Sequence, residues 1–268
     1  MVPVSSLIVM VLNALLGIAI PVFLAWWAVK KHHASLITIL IGAGTFLLFA
    51  LVLESIVHQV VLKGPGGAVI QGKTLYYALY GGLMAGLFEE TGRFLAMKYL
   101  LKKEPTETLP GVAYGLGHGG AEMILIFGVS MISTFTMALM VNLGQTEVIL
   151  STVPAEAKDQ LTATFEQLKT TGAGIYLLGL WERFSAMTLH VGLSVLVWAA
   201  VRKGGKWLWL FPAAILLHAL VDGLAVILSK SAGMVTVELI IMATAIAVAA
   251  LGWLVARRAF PKAAAAAE

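Results

Sequence analysis

Apolar residues along this chain follow neither the 3.6-residue nor the two-residue period of a half-buried element; they run in long blocks. A hydrocarbon core of about 30 Å takes about 20 such residues per helix. Seven blocks qualify, at roughly 4–29, 35–62, 74–101, 110–143, 172–201, 207–230 and 233–256. The pattern predicts an all-α, polytopic transmembrane helical bundle that forms one domain over 1–262. The first block is too long for the apolar region of a cleaved signal peptide and precedes its lysines, so a retained helix is expected. Between blocks four and five, segment 144–171 is more polar, and Pro154 followed by good helix formers predicts a short surface helix. A lid over the bundle and a solvated connector both fit that helix. Residues 263–268 read as a low-complexity tail.

Composition agrees: the 268 residues are 60% hydrophobic and 12% charged, with a mean hydropathy of +0.93. Cysteine is absent, which removes disulfides, thiolate metal sites and a cysteine nucleophile. The net charge of +4 comes from basic clusters between apolar blocks, which suits topology signals and not nucleic-acid binding. Lys30, Lys31, Lys98, Lys102, Lys103, Arg202, Lys203, Lys206, Arg257, Arg258 and Lys262 fall on one side, against Lys63, Lys73, Lys158, Lys169 and Lys230 on the other. The positive-inside rule then places the N-terminus outside and the C-terminus in the cytoplasm. A multi-pass integral membrane protein is expected.

Charges inside the apolar blocks change the picture. Each one at the bilayer centre costs roughly 2.5–3.5 kcal/mol, so such residues face the bundle interior and mark function. Block three carries Glu89, Glu90 and Arg93, block four His118 and Glu122, block five Glu182, Arg183 and His190, and block six His218 and Asp222. At about 1.5 Å of rise per residue, all but Glu182 and Arg183 share one layer, and these two form a second tier. Residues four apart share a helix face, which pairs Glu89 with Arg93, His118 with Glu122, and His218 with Asp222. Arg183 and His190, seven apart, also align. If these faces converge, three negative charges remain to be offset by protons or a divalent cation. Glycines at four-residue intervals (Gly82 and Gly86; Gly111, Gly115 and Gly119) predict that blocks three and four touch. Glu54 and His58 form a further pair nearer the outer boundary, which reads as structural.

The chain has no HExxH, no GxSG and no paired aspartate motif. What remains is a Glu as general base on water, with imidazoles polarising the carbonyl and protonating the leaving amine. That chemistry is peptide-bond hydrolysis without a covalent intermediate.

The stretches Phe88-Glu89-Glu90-Thr91-Gly92-Arg93, Gly115 to Glu122, Glu182-Arg183 with His190, and His218 to Asp222 together resemble the YhfC family of intramembrane proteases. That family sits with the PrsW-type and CAAX-processing or bacteriocin-processing proteases. The resemblance implies a glutamic mechanism needing no cofactor, with Glu89 or Glu90 as base, His118 assisting, and His218 with Asp222 on the oxyanion side. Arg93, Glu122, Glu182, Arg183 and His190 would support it. Arg93 follows Glu89 by four residues where the CAAX pattern has five, and Asp222 replaces its usual Asn, as in the PrsW pattern. A second version has His118, Glu122, His218 and Asp222 holding Zn²⁺. The substrate would be a membrane-embedded or lipid-anchored peptide or protein. A proton-coupled transporter and a non-catalytic membrane scaffold are the competing readings.

Overall fold

The computed structural model describes residues 1–261; the tail expected at 263–268 lies outside them. Every regular element among the described residues is helical. Helix α1 (Val4–His32) is followed by a rod made of α2 (Leu36–Phe46), a π-helical stretch (Leu47–Glu54) and α3 (Ser55–Lys63). Short α4 (Gly67–Gln71) leads into α5 (Thr74–Tyr99). Next in the chain are α6 (Thr108–Glu122), another π-helical stretch (Met123–Gly128) and α7 (Val129–Asn142). Then come α8 (Thr146–Thr152), α9 (Ala155–Thr170), α10 (Ala173–Lys203), a 3₁₀ turn (Gly205–Trp209), α11 (Leu210–Leu228) and α12 (Met234–Ala259).

Six helices among the described residues are long and apolar enough to cross a membrane, at 4–32, 36–63, 108–142, 173–203, 205–228 and 234–259. They match six of the seven expected blocks. The seventh, α5, has the length at 26 residues but not the overall apolarity. Its composition is split by face. Leu75, Leu79, Leu83, Leu87, Leu95 and Tyr99 form an exposed stripe, while Glu89, Glu90 and Arg93 are buried on the other side with Ala78, Gly82, Gly86, Ala96 and Met97. An outward apolar stripe over inward charge is the arrangement lipid requires of a helix that carries a polar site.

The described chain forms two compact units. The first comprises Met1–Ile20 and Met123–Arg183. Here the chain start is tied by side chains acting on backbone: Val2 N–H donates to Asn142 Oδ1 at 2.6 Å, and Asn142 Nδ2 donates to the Val2 carbonyl at 3.1 Å. Asn13 Nδ2 donates to the Tyr176 carbonyl at 2.6 Å. The helix expected after Pro154 is α9, and it is amphipathic: Phe165 and Leu168 are buried with Val2, Met10, Ala138 and Val141.

The second unit comprises Pro21–Glu122 and the chain from Phe184 onward. Its helices meet along glycine seams, where the missing side chains let backbones approach. A Cβ on Gly42 would strike the Tyr114 carbonyl, and one on Gly117 the Ile39 carbonyl, so α2 and α6 are nearly in backbone contact. Gly86 faces Ile215 and Ala219, Gly82 faces Ala219 and Gly223, and this seam joins α5 to α11. Gly111, Gly115 and Gly119 face Trp198, Val191 and Met187 on α10. Blocks three and four do touch, through the 2.8 Å contact of His118 with Glu89, but not along their glycine rows, each of which receives a different helix. Small residues announce a close approach without naming the partner. On the Tyr99 side of α5, a dry core of Met97, Leu101, Tyr114, Leu193, Leu196 and Trp198 closes the unit. It is capped by Trp198 Nε1, which donates to the Glu107 carbonyl at 2.7 Å, and by Arg202 Nη2, which donates to the Glu104 carbonyl at 2.9 Å.

Candidate active site

Four helices of the second unit bring eight ionisable side chains together. Glu89, Glu90 and Arg93 come from α5, His118 and Glu122 from α6, His190 from α10, and His218 and Asp222 from α11. Glu89, Glu90, Arg93, His118, His190 and His218 are all buried. The α5–α11 and α6–α10 seams set these helices close enough for imidazole and carboxylate to meet directly.

Glu89 and Glu90, adjacent in sequence, point about 100° apart around the helix and meet different partners. Glu89 Oε2 accepts from His118 Nε2 at 2.8 Å and lies 3.8 Å from His190 Nδ1. Glu90 Oε1 accepts from Arg93 and, at 2.8 Å, from His218 Nδ1. The sequence left open which Glu faces the reactive cluster; by position it is Glu89, while Glu90 is the counter-ion of a wholly buried Arg93.

Helical spacing alone mispaired two of its three couples. Arg93 pairs with Glu90, three residues before it, and not with Glu89. Glu122 turns from His118 to His190, with Oε2 at 2.5 Å from Nε2. Of these three, His218 and Asp222 keep their couple, at 3.6 Å, as does the separate pair of Glu54 and His58, at 3.1 Å. Glu122 finds a group on the facing helix before one along its own surface, while Arg93 stays on its own helix and takes Glu90 because Glu89 is turned to His118. Glu182 and Arg183 pair with each other in the first unit, with Arg183 Nε donating to Glu182 Oε2 at 2.8 Å. Within the second unit the site holds four carboxylates and one guanidinium.

The ring hydrogen bonds define proton positions. Arg93 Nη2 is 3.1 Å from His190 Nδ1 and can only donate, so Nδ1 accepts and the proton of a neutral ring is on Nε2, the nitrogen that faces the Glu122 carboxylate. His118 Nε2–H donates to Glu89, and its buried Nδ1 has no partner among the described residues. Phe46 packs its ring edge-on to His118 at 5.3 Å and Tyr114 lies at 6.1 Å, so one side of that imidazole is apolar.

The donor atoms fit a metal ion at a different place from the one expected. The sequence offered His118, Glu122, His218 and Asp222. The structure instead draws together Glu89, His118 and His190, whose ligand atoms all lie within 4.8 Å of one another. Two imidazoles and a carboxylate form a known catalytic zinc donor set, and a carboxylate on the far nitrogen of a ligand His, as Glu122 is on His190, is its usual support. His190 was not among the four donors expected, because it has no acidic or imidazole neighbour four residues away; being a third histidine at the shared depth was the available signal.

Comparison with known sequences bears on the same residues. The pattern of a family described as "YhfC intramembrane metalloprotease" matches residues 16–246, which include all eight side chains. The chain belongs to the YhfC family. It is 37% identical over 262 residues, covering 97% of this chain and 100% of the relative, to a Bacillus subtilis (strain 168) protein named "Uncharacterized membrane protein YhfC". No solved structure matches the chain significantly. Membership in the YhfC family supports a multi-pass membrane peptidase, in agreement with the six apolar spans. The YhfC description as a metalloprotease also makes Zn²⁺ a plausible cofactor, and the expectation that none is required finds no support in it.

Proposed function

We propose that this protein is a metal-dependent intramembrane endopeptidase whose centre is Glu89, His118 and His190. The observation that carries the reading is the convergence of these three donors from three helices at one buried point. When bound there, a zinc ion would supply a polarised carbonyl and an activated water, the two demands of amide hydrolysis. The chain's own residues do the rest. Glu122 holds His190 in the tautomer whose Nδ1 faces the cluster. His218 donates Nδ1–H to Glu90 and has Nε2 3.6 Å from Asp222; as an imidazolium it carries a second proton on Nε2, suited to the oxyanion or to protonating the leaving amine. Arg93 offsets Glu90, so α5 can carry two adjacent carboxylates in a buried layer. The substrate is a membrane-embedded or lipid-anchored peptide or protein, reached in the bilayer where the spans lie.

A metal-free glutamic mechanism is favoured by one specific contact. Arg93 Nη2 occupies the His190 Nδ1 lone pair at 3.1 Å, while Glu89 and His118 stand at 2.8 Å as a ready base and imidazole. In that reading Glu89 takes the proton of water and His118 orients it.

Two measurements decide. Elemental mass spectrometry of protein purified without affinity-tag metal should find about one zinc per chain, lost in a His118→Ala, His190→Ala double variant; a folded wild type without metal selects the glutamic reading. Mapping new N-termini in membranes of cells expressing wild type or Glu89→Gln should reveal fragments made only by wild type. Identical fragment sets would overturn both readings.

A further inference from the structure

A second polar group lies outside the site and is not needed for the chemistry above. Glu54 is the sole carboxylate of the rod 36–63, and it is only 7% exposed. It sits about 13 Å along the helix from Lys63, inside the hydrocarbon thickness. His58 Nε2 is 3.1 Å from Glu54 Oε1, and His58 Nδ1 is 2.9 Å from the Tyr80 hydroxyl on α5. The result is a hydrogen-bonded chain in which burial increases inward: His58 has a third of its side chain exposed, Glu54 less than a tenth.

The π-helical stretch ends on Glu54, and such stretches are frequent at functional sites. Leu47, Leu48, Val52 and Leu53 on the same stretch are exposed, so the wide turn separates one inward carboxylate from an otherwise lipid-type surface. The same stretch packs on α5, with Phe49 against Gly92, one turn along the helix from Glu89. Asp222 is the one member of the site with an open side chain, 40% exposed against 3% for His218 and none for Glu90. Both carboxylates lie on the same side of the Glu89 layer, towards the Lys63 end of the rod and the Leu228 end of α11. The opposite side is the dry core of Met97, Leu101, Tyr114 and Trp198.

Hydrolysis consumes one water per bond cleaved, and a centre surrounded by lipid needs a polar route to supply it. We propose that Tyr80, His58 and Glu54 line a water-entry route that reaches the Glu89 centre past Asp222, from the Lys63 end of the rod. The proposal rests on the hydrolase reading above. If these three side chains only pinned α3 to α5, the seam would be dry.

The chain has no cysteine, so a single introduced thiol reports its surroundings without background. Glu54→Cys, His58→Cys, Ile56→Cys and Met97→Cys variants would be reconstituted in proteoliposomes and treated with a charged methanethiosulfonate reagent. Ile56 is 54% exposed at the same level but on the lipid-type face, and Met97 is buried beyond the site. Glu54→Cys and His58→Cys should be modified about tenfold or more faster than Ile56→Cys, because a thiol ionises readily only in water. Met97→Cys should be inert. Equal rates at Glu54→Cys and Ile56→Cys in folded protein would overturn the route; if Glu54→Cys does not fold, Tyr80→Cys takes its place under the same criterion. The readout needs no substrate, so loss of the peptidase reading and loss of the route are separate results.

Discussion

Glu122 Oε2 lies 2.5 Å from His190 Nε2 on the neighbouring helix, although His118 stands one turn before Glu122 on its own. The α6–α10 seam makes this choice. Gly115 and Gly119 bring the backbone of α6 against Val191, Met187 and His190, so the carboxylate meets the facing imidazole first. A carboxylate in that position fixes the ring and raises its basicity as a ligand. Replacing Glu122 by Gln should therefore weaken metal binding about 10–100-fold while leaving the fold intact. Competition with a graded chelator would measure it, and an unchanged affinity would remove Glu122 from the support of the centre.

Glu89 and Glu90 should behave oppositely when neutralised. Glu89→Gln keeps shape and hydrogen bonding to His118 but loses the charge, so cleavage should fall to background in protein that unfolds at the wild-type temperature. Glu90→Ala strips a wholly buried Arg93 of its counter-ion, which costs about 3–5 kcal/mol in buried pairs and should lower yield and unfolding temperature. Thermal unfolding in detergent, set beside cleavage, separates the two. Equal loss of stability would refute the division of roles.

The α2–α6 seam predicts a sharp contrast between two glycines of one short helix. Gly42→Ala would push a methyl into the Tyr114 carbonyl, whereas Gly44→Ala meets nothing within 4 Å. The first should destabilise by about 1–3 kcal/mol, as overpacking does, and disturb His118 one turn along α6. The second should be neutral or slightly stabilising. Comparable unfolding temperatures for both would contradict the seam.

The basic clusters predict that the segment before α1 faces outward and that Arg257 and Arg258 face the cytoplasm. Reporter fusions after His33, Lys103 and Arg258 should be active only in cytoplasmic form, and those at Lys73 and Lys230 only in exported form. The reverse pattern would invert the topology and place the mouth lined by His58 and Tyr80 on the cytoplasmic side.

Much of the fold was legible because lipid imposes a simple rule: about 20 apolar residues make a span. Six spans agree with their expected limits to within a few residues. The rule weakened at α5, where three inward charges lower the average over a helix whose outward face is as apolar as its neighbours'. The site was legible as a list for the same reason, since ionisable residues in apolar blocks carry a cost that only function or pairing offsets.

Partnership was not legible in that way. Spacing by four identified which residues share a face, and it succeeded for His218 with Asp222, where no better partner intervenes. It failed for His118 with Glu122 and for Glu89 with Arg93, because Glu122 and Glu89 each meet an imidazole on a facing helix, which leaves Arg93 to Glu90 on its own helix.

By itself, then, the sequence determined that this is a polytopic helical membrane protein, which residues its buried polar layer contains, and to which family it is similar. Only the tertiary structure decided that Glu89, and not Glu90, stands with His118 and His190, and that Glu122 serves His190. The physical reason is range: hydropathy and helical period act within a segment, whereas the choice between two carboxylates one residue apart rests on contacts a few ångströms long between helices far apart in the chain.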